Sequence, residues 1–264
     1  MASAEPILSL RDVSRIFRSG RGEVVALSDV TFDVVGGEFI TVVGPSGCGK
    51  STVLNVIVGL LEASTGEKYF RGARSSGINL EIGYITQADN LFPWRTVVEN
   101  VTFGLDLRGI GTRAGRRQKA MSLIEQVGLR GFEHHYRHEL SGGMRQRVNI
   151  IRTLAYDPKI ILLDEPFGPL DAQTRLQLQA QLLALWADRP DTTLIFITHD
   201  LTEAIALADR VVVMTARPGR VREIVPVDLP RPRDIYRIHT DSRFREIYDR
   251  IWTHLADEMK GSPA

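Results

Sequence analysis

The sequence predicts an α/β protein with a mostly parallel sheet, an N-terminal antiparallel β lobe and an inserted α-helical lobe. Short runs rich in Val and Ile alternate with longer stretches of helical period, which is typical of a sheet covered by helices. Three of these runs, Phe39–Val43, Ile160–Leu163 and Leu194–Thr198, lead directly into polar, Gly-rich or charged residues. A further strand is predicted at Leu80–Thr86. The carboxyl ends of such strands are where ligands bind in open α/β sheets.

The two lobes interrupt this alternation at different points of the chain. Ile7–Phe17 and Glu23–Val35 alternate apolar and polar residues on either side of the turn 19–22, which predicts an antiparallel hairpin. From Val97 to Val127 the sequence is polar and of helical period, and the strand pattern returns only after Leu140. An inserted helical lobe is therefore expected at about residues 95–140.

The end of the chain is predicted to form a hairpin and then a helix. Val211–Thr215 and Val221–Val225 flank a turn signal at residues 217–219, and Asp241 and Ser242 are placed to cap the final helix. The apolar stripe of this helix contains Phe244, Ile247, Tyr248, Ile251, Trp252, Leu255 and Met259. Such a stripe packs either on the core of its own chain or on a partner chain.

Composition excludes several classes of protein. With 33 Lys and Arg against 32 Asp and Glu, the net charge of +1 gives no strong field for nucleic acid, so no nucleic-acid partner is expected. The single cysteine, Cys48, excludes an internal disulfide. No secretory signal is recognised, and the longest apolar runs are too short to cross a bilayer. We expect a protein made in the cytoplasm, with any membrane role peripheral.

A phosphate-binding P-loop follows the strand Phe39–Val43 and precedes an apolar helix predicted at Val53–Leu61. Glycines let successive N–H groups point inward, Lys50 can reach the β- and γ-phosphates of a nucleotide, and Ser51 can ligate Mg²⁺. The loop consists of Gly44, Pro45, Ser46, Gly47, Cys48, Gly49, Lys50, Ser51 and Thr52.

Two adjacent carboxylates end the predicted strand Ile160–Leu163. Unpaired carboxylates beside a core are costly, and a metal ion and a water molecule would account for them. Asp164 is therefore expected to hold Mg²⁺, and Glu165 to orient or deprotonate the attacking water. His199 directly follows the predicted strand Leu194–Thr198 and is expected at the same edge, where it can bond a γ-phosphate.

A second element suited to phosphate lies far downstream. Ser141, Gly142 and Gly143 open a helix, with Ser141 as its N-cap. A chain with two Gly-rich helix N-termini has one more anion site than a single nucleotide needs.

Together, the P-loop, the segment Leu140–Arg147 (LSGGMRQR) and the segment Leu162–Pro166 (LLDEP) resemble the ATP-binding subunits of ABC transporters, with a match from about residue 7 to 230. The resemblance implies an ATP-binding domain at residues 1–240 and a C-terminal helical extension at 241–264. It implies ATP and Mg²⁺ as cofactors. It also implies a head-to-tail pair of subunits, with a homodimer the simplest case, in which Ser141, Gly142 and Gly143 of one subunit face the nucleotide held by the P-loop of the other.

Three further roles come from the same resemblance. Gln87 is similar to the glutamine that senses Mg²⁺ and the attacking water, and Asp171 to an aspartate that crosses the dimer interface. Phe17 is similar to the aromatic residue that stacks on adenine, although a core role for Phe17 stays open. The segment Glu67–Gly77 fits the strand pattern of the family poorly.

Within the family, the segments 91–94, 166–175, 217–220 and 229–233 resemble those of nitrate, sulfonate and taurine importers. Such importers combine two ATPases with two integral membrane permeases and a substrate-binding protein. Leu91, Phe92 and Trp94 then either meet a permease or pack within the helical lobe.

The function expected from the sequence is that of an ATPase subunit of an importer for a small anion, bound peripherally at the cytoplasmic face of the inner membrane. Two other classes stay open: an ABC ATPase that works without a permease, and a module that binds ATP without hydrolysing it. The single cassette, without a long coiled-coil insertion, disfavours the first class, and Glu165 with His199 disfavours the second.

Overall fold

The computed structural model describes residues 5–20 and 22–261, with side chains up to Glu258. Arg21 of the predicted turn and the side chain of Met259 lie outside this described part. The strands are β1 Pro6–Ser19, β2 Gly22–Val35, β3 Phe39–Val43, β4 Thr65–Phe70, β5 Ala73–Arg74, β6 Ile82–Ile85, β7 Ile160–Asp164, β8 Thr193–Ile197, β9 Arg210–Met214 and β10 Val221–Pro226. The helices are α1 Lys50–Val58, α2 Val97–Leu107, α3 Arg113–Gln126, α4 Gly142–Leu154, α5 Ala172–Ala187, α6 Leu201–Leu207 and α7 Ser242–Gly261.

A six-stranded sheet in the order β10-β9-β3-β8-β7-β6 forms the centre of the protein. The strands from β9 to β6 pair in parallel, and β10 pairs antiparallel at one edge. Strands β3 and β8 are buried along their whole length, because helices cover one face of the sheet, and α1 together with a second sheet covers the other. The predicted α/β class is confirmed, and α2 and α3 form the inserted helical lobe.

The predicted strand at Leu80–Thr86 is too long. Its parallel pairing with β7 runs only from Ile82 opposite Ile160 to Ile85 opposite Leu163. Leu80 is exposed and lies before the first paired residue. The prediction includes Leu80 because it is apolar, although its backbone is not paired with β7.

A four-stranded antiparallel sheet in the order β2-β1-β4-β5 forms the N-terminal lobe. The predicted hairpin is present, with Leu10 opposite Phe32. The segment Glu67–Gly77, whose strand pattern fits poorly, nevertheless contributes β5 and most of β4. Pairing of Phe70 with Leu8 accounts for this, because a neighbouring strand supplies the backbone partners that local composition does not specify.

Helix α1 begins at Lys50 and ends at Val58, three residues earlier at each end than predicted. Gly59 ends it with a φ of +86°, and a Cβ on this glycine would lie 1.6 Å from the carbonyl oxygen of Gly77. Lys68 of β4 donates hydrogen bonds from Nζ to the carbonyl oxygens of Val56 and Ile57. These contacts fix the C-terminus of α1 and thereby hold its N-terminus, which carries the P-loop.

Helix α7 packs on the apolar core that lies between the parallel sheet and the helices covering one of its faces. Phe244 and Ile251 are buried there, and Ile247, Tyr248 and Leu255 pack against the core. Trp252 does not belong to this stripe and is 48% exposed. One residue beyond Ile251, it is rotated by about 100° around the helix axis and leaves the packed face. Asp241 caps the helix by accepting a hydrogen bond from the backbone N–H of Arg243 at 2.9 Å; Ser242 is its first residue.

A buried carboxyl lies at the N-terminal end of α6. Oε1 of Glu203 accepts a hydrogen bond from Nε2 of Gln179 on α5 at 2.8 Å. Burial raises the pKa of Glu203 to about 7, in spite of the hydrogen bonds from Thr198 and Gln179. The folded protein therefore binds a proton here that the unfolded chain releases near pH 4.5.

This proton makes the free energy of unfolding depend on pH. Because the raised pKa belongs to an acid in the folded state, the contribution of Glu203 falls as pH rises from about 4.5 to about 7, by up to about 3 kcal/mol. We expect Glu203→Gln to gain stability relative to wild type across this window, in urea unfolding at pH 5 and pH 7.5. The exposed Glu125→Gln is the control for the lost charge. An equal difference between Glu203→Gln and wild type at both pH values would contradict the shift.

Candidate functional site

The P-loop joins β3 to α1, and Lys50 at its end bonds back to the start of the loop. Nζ of Lys50 donates hydrogen bonds to the carbonyl oxygens of Gly44 at 2.9 Å and Pro45 at 3.1 Å. The lysine side chain is buried, so it is aimed along the inside of the loop instead of into solvent. An ammonium group held in this way is placed for the phosphates of a nucleotide.

Close packing explains two of the loop glycines. Gly49 has a φ of +101°, and a Cβ there would lie 2.7 Å from Cδ2 of Leu27 and 2.9 Å from the carbonyl oxygen of Ala26. A Cβ on Gly44 would lie 2.9 Å from Sγ of Cys48. Burial raises the pKa of the Cys48 thiol, although Lys50 opposes the shift. Cys48 is therefore a packing residue behind the loop and stays protonated.

Ser51 and Asp164, from separate predicted motifs, are in contact. Oγ of Ser51 donates a hydrogen bond to Oδ1 of Asp164 at 3.1 Å, and the hydroxyl of Tyr84 donates to Oδ2 at 3.3 Å. Burial raises the pKa of Asp164, and the neighbouring Glu165 raises it further, while both hydrogen bonds lower it. A cation at this carboxylate would offset the cost of burial.

The donor set fits Mg²⁺. Hydroxyl and carboxylate oxygens are hard ligands, and Mg²⁺ in nucleotide sites takes one or two protein ligands with phosphates and waters completing its shell. Within residues 5–20 and 22–261, no group of three or more His, Cys, Asp or Glu side chains is arranged to hold a metal by itself. Ser51 with Asp164 therefore suits a magnesium ion that arrives with a nucleotide.

Glu165 and His199 form the second pair at this edge. Nδ1 of His199 lies 3.2 Å from Oε2 of Glu165. Glu165 has a φ of +45°, a left-handed conformation that is costly for a residue with a side chain. Its backbone N–H donates to the carbonyl oxygen of Ile197 on β8 at 3.0 Å, which anchors this conformation to the sheet.

A cavity of about 400 Å³ opens beside the P-loop. Phe17 of β1 is 37% exposed at this cavity, and the guanidinium of Arg15 lies 4.8 Å from the centre of its ring. An aromatic face outside the core is thus available to a ligand. The lining residues are Phe17, Val24, Ala26, Ser46, Gly47, Gly49, Lys50, Ser51, Thr52, Glu165 and Arg217.

The signature residues, which we define as Ser141, Gly142 and Gly143 at the start of the signature helix α4, do not line this cavity. Ser141 accepts a hydrogen bond from the backbone N–H of Met144 at 3.3 Å and caps α4, and Asp171 accepts from that of Thr174 at 3.0 Å and caps α5. Both caps are exposed, and a Cβ on Gly143 would lie 2.7 Å from Cγ2 of Thr174, so the two helix ends are packed together. Gly142 is the first residue of α4. One chain therefore presents two separate surfaces, the P-loop cavity and the paired helix ends.

Gln87 follows β6 by two residues and is exposed outside the cavity. Two residues further on, Asp89 accepts hydrogen bonds from Arg137 at 2.8 Å and from Arg145 of α4 at 3.0 Å. Its side chain is only 13% exposed. Burial raises the pKa of Asp89, but the hydrogen bonds from Arg137 and from the backbone N–H of Leu91, with the charges of both arginines, lower it below its usual value. The loop after Gln87 is thus tied to the signature helix by an ionised carboxylate.

Sequence reasoning missed Asp89, Tyr84 and Arg217 as parts of the site. Asp89 is separated from Arg137 by 48 residues and from Arg145 by 56, so no local pattern links them. Tyr84 lies in β6, where an aromatic residue is ordinary. The sequence marks Arg217 as part of a turn and of a segment similar to importers, and neither feature places it at the P-loop.

Comparison with known proteins agrees with the geometry. Residues 27–168 match the family model described as ABC transporter. An uncharacterized ABC transporter ATP-binding protein of Methanocaldococcus jannaschii is 47% identical over 252 residues, 96% of this chain and 92% of that protein. The aliphatic sulfonates import ATP-binding protein SsuB of Bacillus licheniformis is 45% identical over 226 residues, 86% of this chain and 87% of that protein.

A solved structure of an ATP-binding cassette, dimeric and bound to ADP and Pi after hydrolysis, has a TM-score of 0.74 and 31% identity. The aligned region covers 84% of this chain and 100% of the chain in that structure. In the part of the chain that the structure describes, no helix combines the length and the apolar character needed to cross a membrane. The chain belongs to the ABC transporter family, as one of its ATP-binding subunits, the ATPases that power transport.

Proposed function

We propose that this subunit hydrolyses ATP with Mg²⁺ at the described cavity and drives import of a small anion of the sulfonate type through partner permeases. The observation that carries the chemistry is the meeting of Ser51, Asp164, Glu165 and His199 at one edge of the sheet. The cargo class is supported by the similarity to an aliphatic sulfonates import protein. Nitrate and taurine are the next cargoes to screen.

ATP lies between Phe17 and Lys50 in this proposal. Phe17 stacks on adenine through its exposed face, and the P-loop residues Gly44–Thr52 surround the phosphates with backbone N–H groups and the ammonium of Lys50. Binding phosphate requires Lys50 to exchange its hydrogen bonds with the Gly44 and Pro45 carbonyls for phosphate oxygens. The cavity of about 400 Å³ is of the size that small-molecule sites have.

Hydrolysis is assigned to the side chains at the strand ends. Ser51 and Asp164 hold Mg²⁺, which neutralises charge on the phosphates. Glu165 orients the attacking water and accepts its proton, and His199 bonds the γ-phosphate while holding Glu165 in place. Gln87 joins the site when its loop moves toward the cavity, because it is exposed and has no hydrogen bond among the described residues.

The second surface is proposed to complete the site of another subunit. Ser141, Gly142 and Gly143 expose a helix N-terminus, which favours an anion, and Asp171 lies on the neighbouring exposed helix end. Two copies arranged head to tail bring this surface to the γ-phosphate in the P-loop cavity of the partner. That a similar cassette is dimeric in its solved structure supports the pairing of two subunits.

Contact with the membrane is proposed to run through the helical lobe. Leu91 is buried in the core, whereas Trp94 is 70% exposed and packs its ring 5.5 Å from that of Phe92. Of the two interpretations left open for these residues, packing applies to Leu91 and docking is proposed for Trp94. The subunit then sits at the cytoplasmic face of the membrane with two permeases, and a substrate-binding protein delivers the cargo. Residues 1–240 are proposed as the ATP-binding domain and 241–264 as its extension.

Glu165→Gln tests the catalytic assignment. The amide can still accept a hydrogen bond from water but cannot take its proton, so steady-state hydrolysis should fall at least about 100-fold. ATP binding should persist, and ATP-bound dimers should accumulate in size-exclusion chromatography. Glu125→Gln, an exposed change on α3, is the control. Near-normal turnover in Glu165→Gln would remove Glu165 from the mechanism.

Mixing two inactive variants tests the head-to-tail site. Lys50→Ala disables the P-loop and Ser141→Arg disables the signature, and each alone should hydrolyse little ATP. In a mixed dimer built head to tail, both defects fall in one site and the other site is intact. A 1:1 mixture should therefore recover up to about a quarter of wild-type activity. No recovery would mean that each site is built from one chain.

Trp94→Ala tests the docking surface. Exposed tryptophans at the centre of an interface often contribute about 2 kcal/mol or more, so co-purification with permease chains from membranes should fall steeply. ATP hydrolysis by the isolated subunit should not change. Trp252→Ala, which alters the other well-exposed tryptophan, is the matched control. A lower melting temperature with unchanged membrane association would assign Trp94 to packing instead.

A further inference from the structure

Arg217 is placed on the P-loop by a contact that the chemistry proposed above does not use. It lies in the hairpin between β9 and β10, and Nε and Nη2 donate hydrogen bonds to the carbonyl oxygen of Gly47 at 3.3 and 3.2 Å. Arg217 lines the same cavity as Phe17 and Lys50. A residue far along the chain thus forms part of the wall around the nucleotide cavity.

The positive charge of Arg217 is not neutralised by a neighbouring acid. Among the residues that the structure describes, no carboxylate lies within 4 Å of its guanidinium, whereas Arg220 in the same hairpin pairs with Asp29 at 3.6 Å. A guanidinium carries five N–H donors, and the Gly47 carbonyl engages only two of its nitrogens. The remaining donors are available to an anion at the cavity.

The hairpin that carries Arg217 is held from two sides. The carboxylate of Glu258 on α7 accepts a hydrogen bond from the backbone N–H of Ala216 at 2.9 Å. On the other side, Gly219 exchanges backbone hydrogen bonds with Ala26 and Ser28, each at 3.0 Å. A Cβ on Gly219 would lie 2.0 Å from the carbonyl oxygen of Cys48, so the turn is pressed against the P-loop. Arg217 therefore starts from a restrained backbone.

We propose that Arg217 is a second cationic residue for the nucleotide, which binds the phosphate chain of ATP and ADP beside Gly47, and that α7 positions it through Glu258. Because the guanidinium is already hydrogen-bonded to the loop, its side chain loses little conformational entropy when it binds phosphate oxygens. The planar arrangement of its N–H donors also matches the geometry of such oxygens. The inference rests on the proposed placement of ATP in this cavity. It gives the C-terminal helix a role in nucleotide affinity.

Fluorescence titration of the full chain with mant-ATP and mant-ADP, each with Mg²⁺, tests the proposal. Arg217→Ala should raise both dissociation constants about fivefold to tenfold, and Arg217→Lys, which keeps the charge but not the fork, should raise them less. In steady-state hydrolysis the KM for ATP should rise with kcat within about twofold, because the contact is made equally before and during the reaction. Arg220→Ala is the control with the same loss of charge in the same hairpin.

A second variant examines the role of α7. Glu258→Ala should raise the same dissociation constants about twofold to threefold, because it frees the backbone before Arg217 without removing a charge from the cavity. Unchanged constants in Glu258→Ala would overturn the positioning by α7.

Lys50→Ala separates this inference from the proposed function. If Lys50→Ala loses nucleotide binding while Arg217→Ala stays within about twofold of wild type, the role of Arg217 is overturned and the placement of ATP survives. If Lys50→Ala binds both nucleotides normally, the placement itself is wrong. An effect of Arg220→Ala as large as that of Arg217→Ala would show a general effect of charge and would also overturn the proposal.

Discussion

The parallel pairing of β3, β8 and β7 is the constraint on which the site depends. Thr198 donates its backbone N–H to the carbonyl oxygen of Val42, and Glu165 donates its own to that of Ile197, so the three strands end in register. The P-loop, the two carboxylates and His199 leave the sheet at this point. A shift of one strand by one residue would turn its side chains to the opposite face and would separate Ser51 from Asp164.

Much of the site was predictable because its motifs are local. The P-loop is recognisable in the sequence because its glycines and Lys50 fall within nine residues. Carboxylates at the end of a strand are noticeable because their burial costs free energy. Knowledge that parallel strands end at one edge then joins the motifs without coordinates. The fold class followed from the same alternation of strands and helices.

What escaped prediction depends on contacts between distant segments. Asp89 with Arg145, and Arg217 with Gly47, pair ordinary residues across 56 and 170 positions, which leaves no periodicity to read. Element ends were missed for a related reason, since the backbone partners of β6 and β4 lie elsewhere in the chain. Trp252 shows the limit of an apolar stripe, because one residue at its margin can face water.

The carboxylate of Asp89 has a mechanical consequence. By holding Arg137 and Arg145 together, it joins the loop after Gln87 to the helix that begins at Ser141, so displacement of one carries the other along. In the head-to-tail pair proposed above, these two segments would face different nucleotides. A movement that brings Gln87 toward the ATP of its own chain would therefore also shift Ser141, which faces the ATP of the partner. The ion pairs of one carboxylate would thus couple the movements at the two active sites.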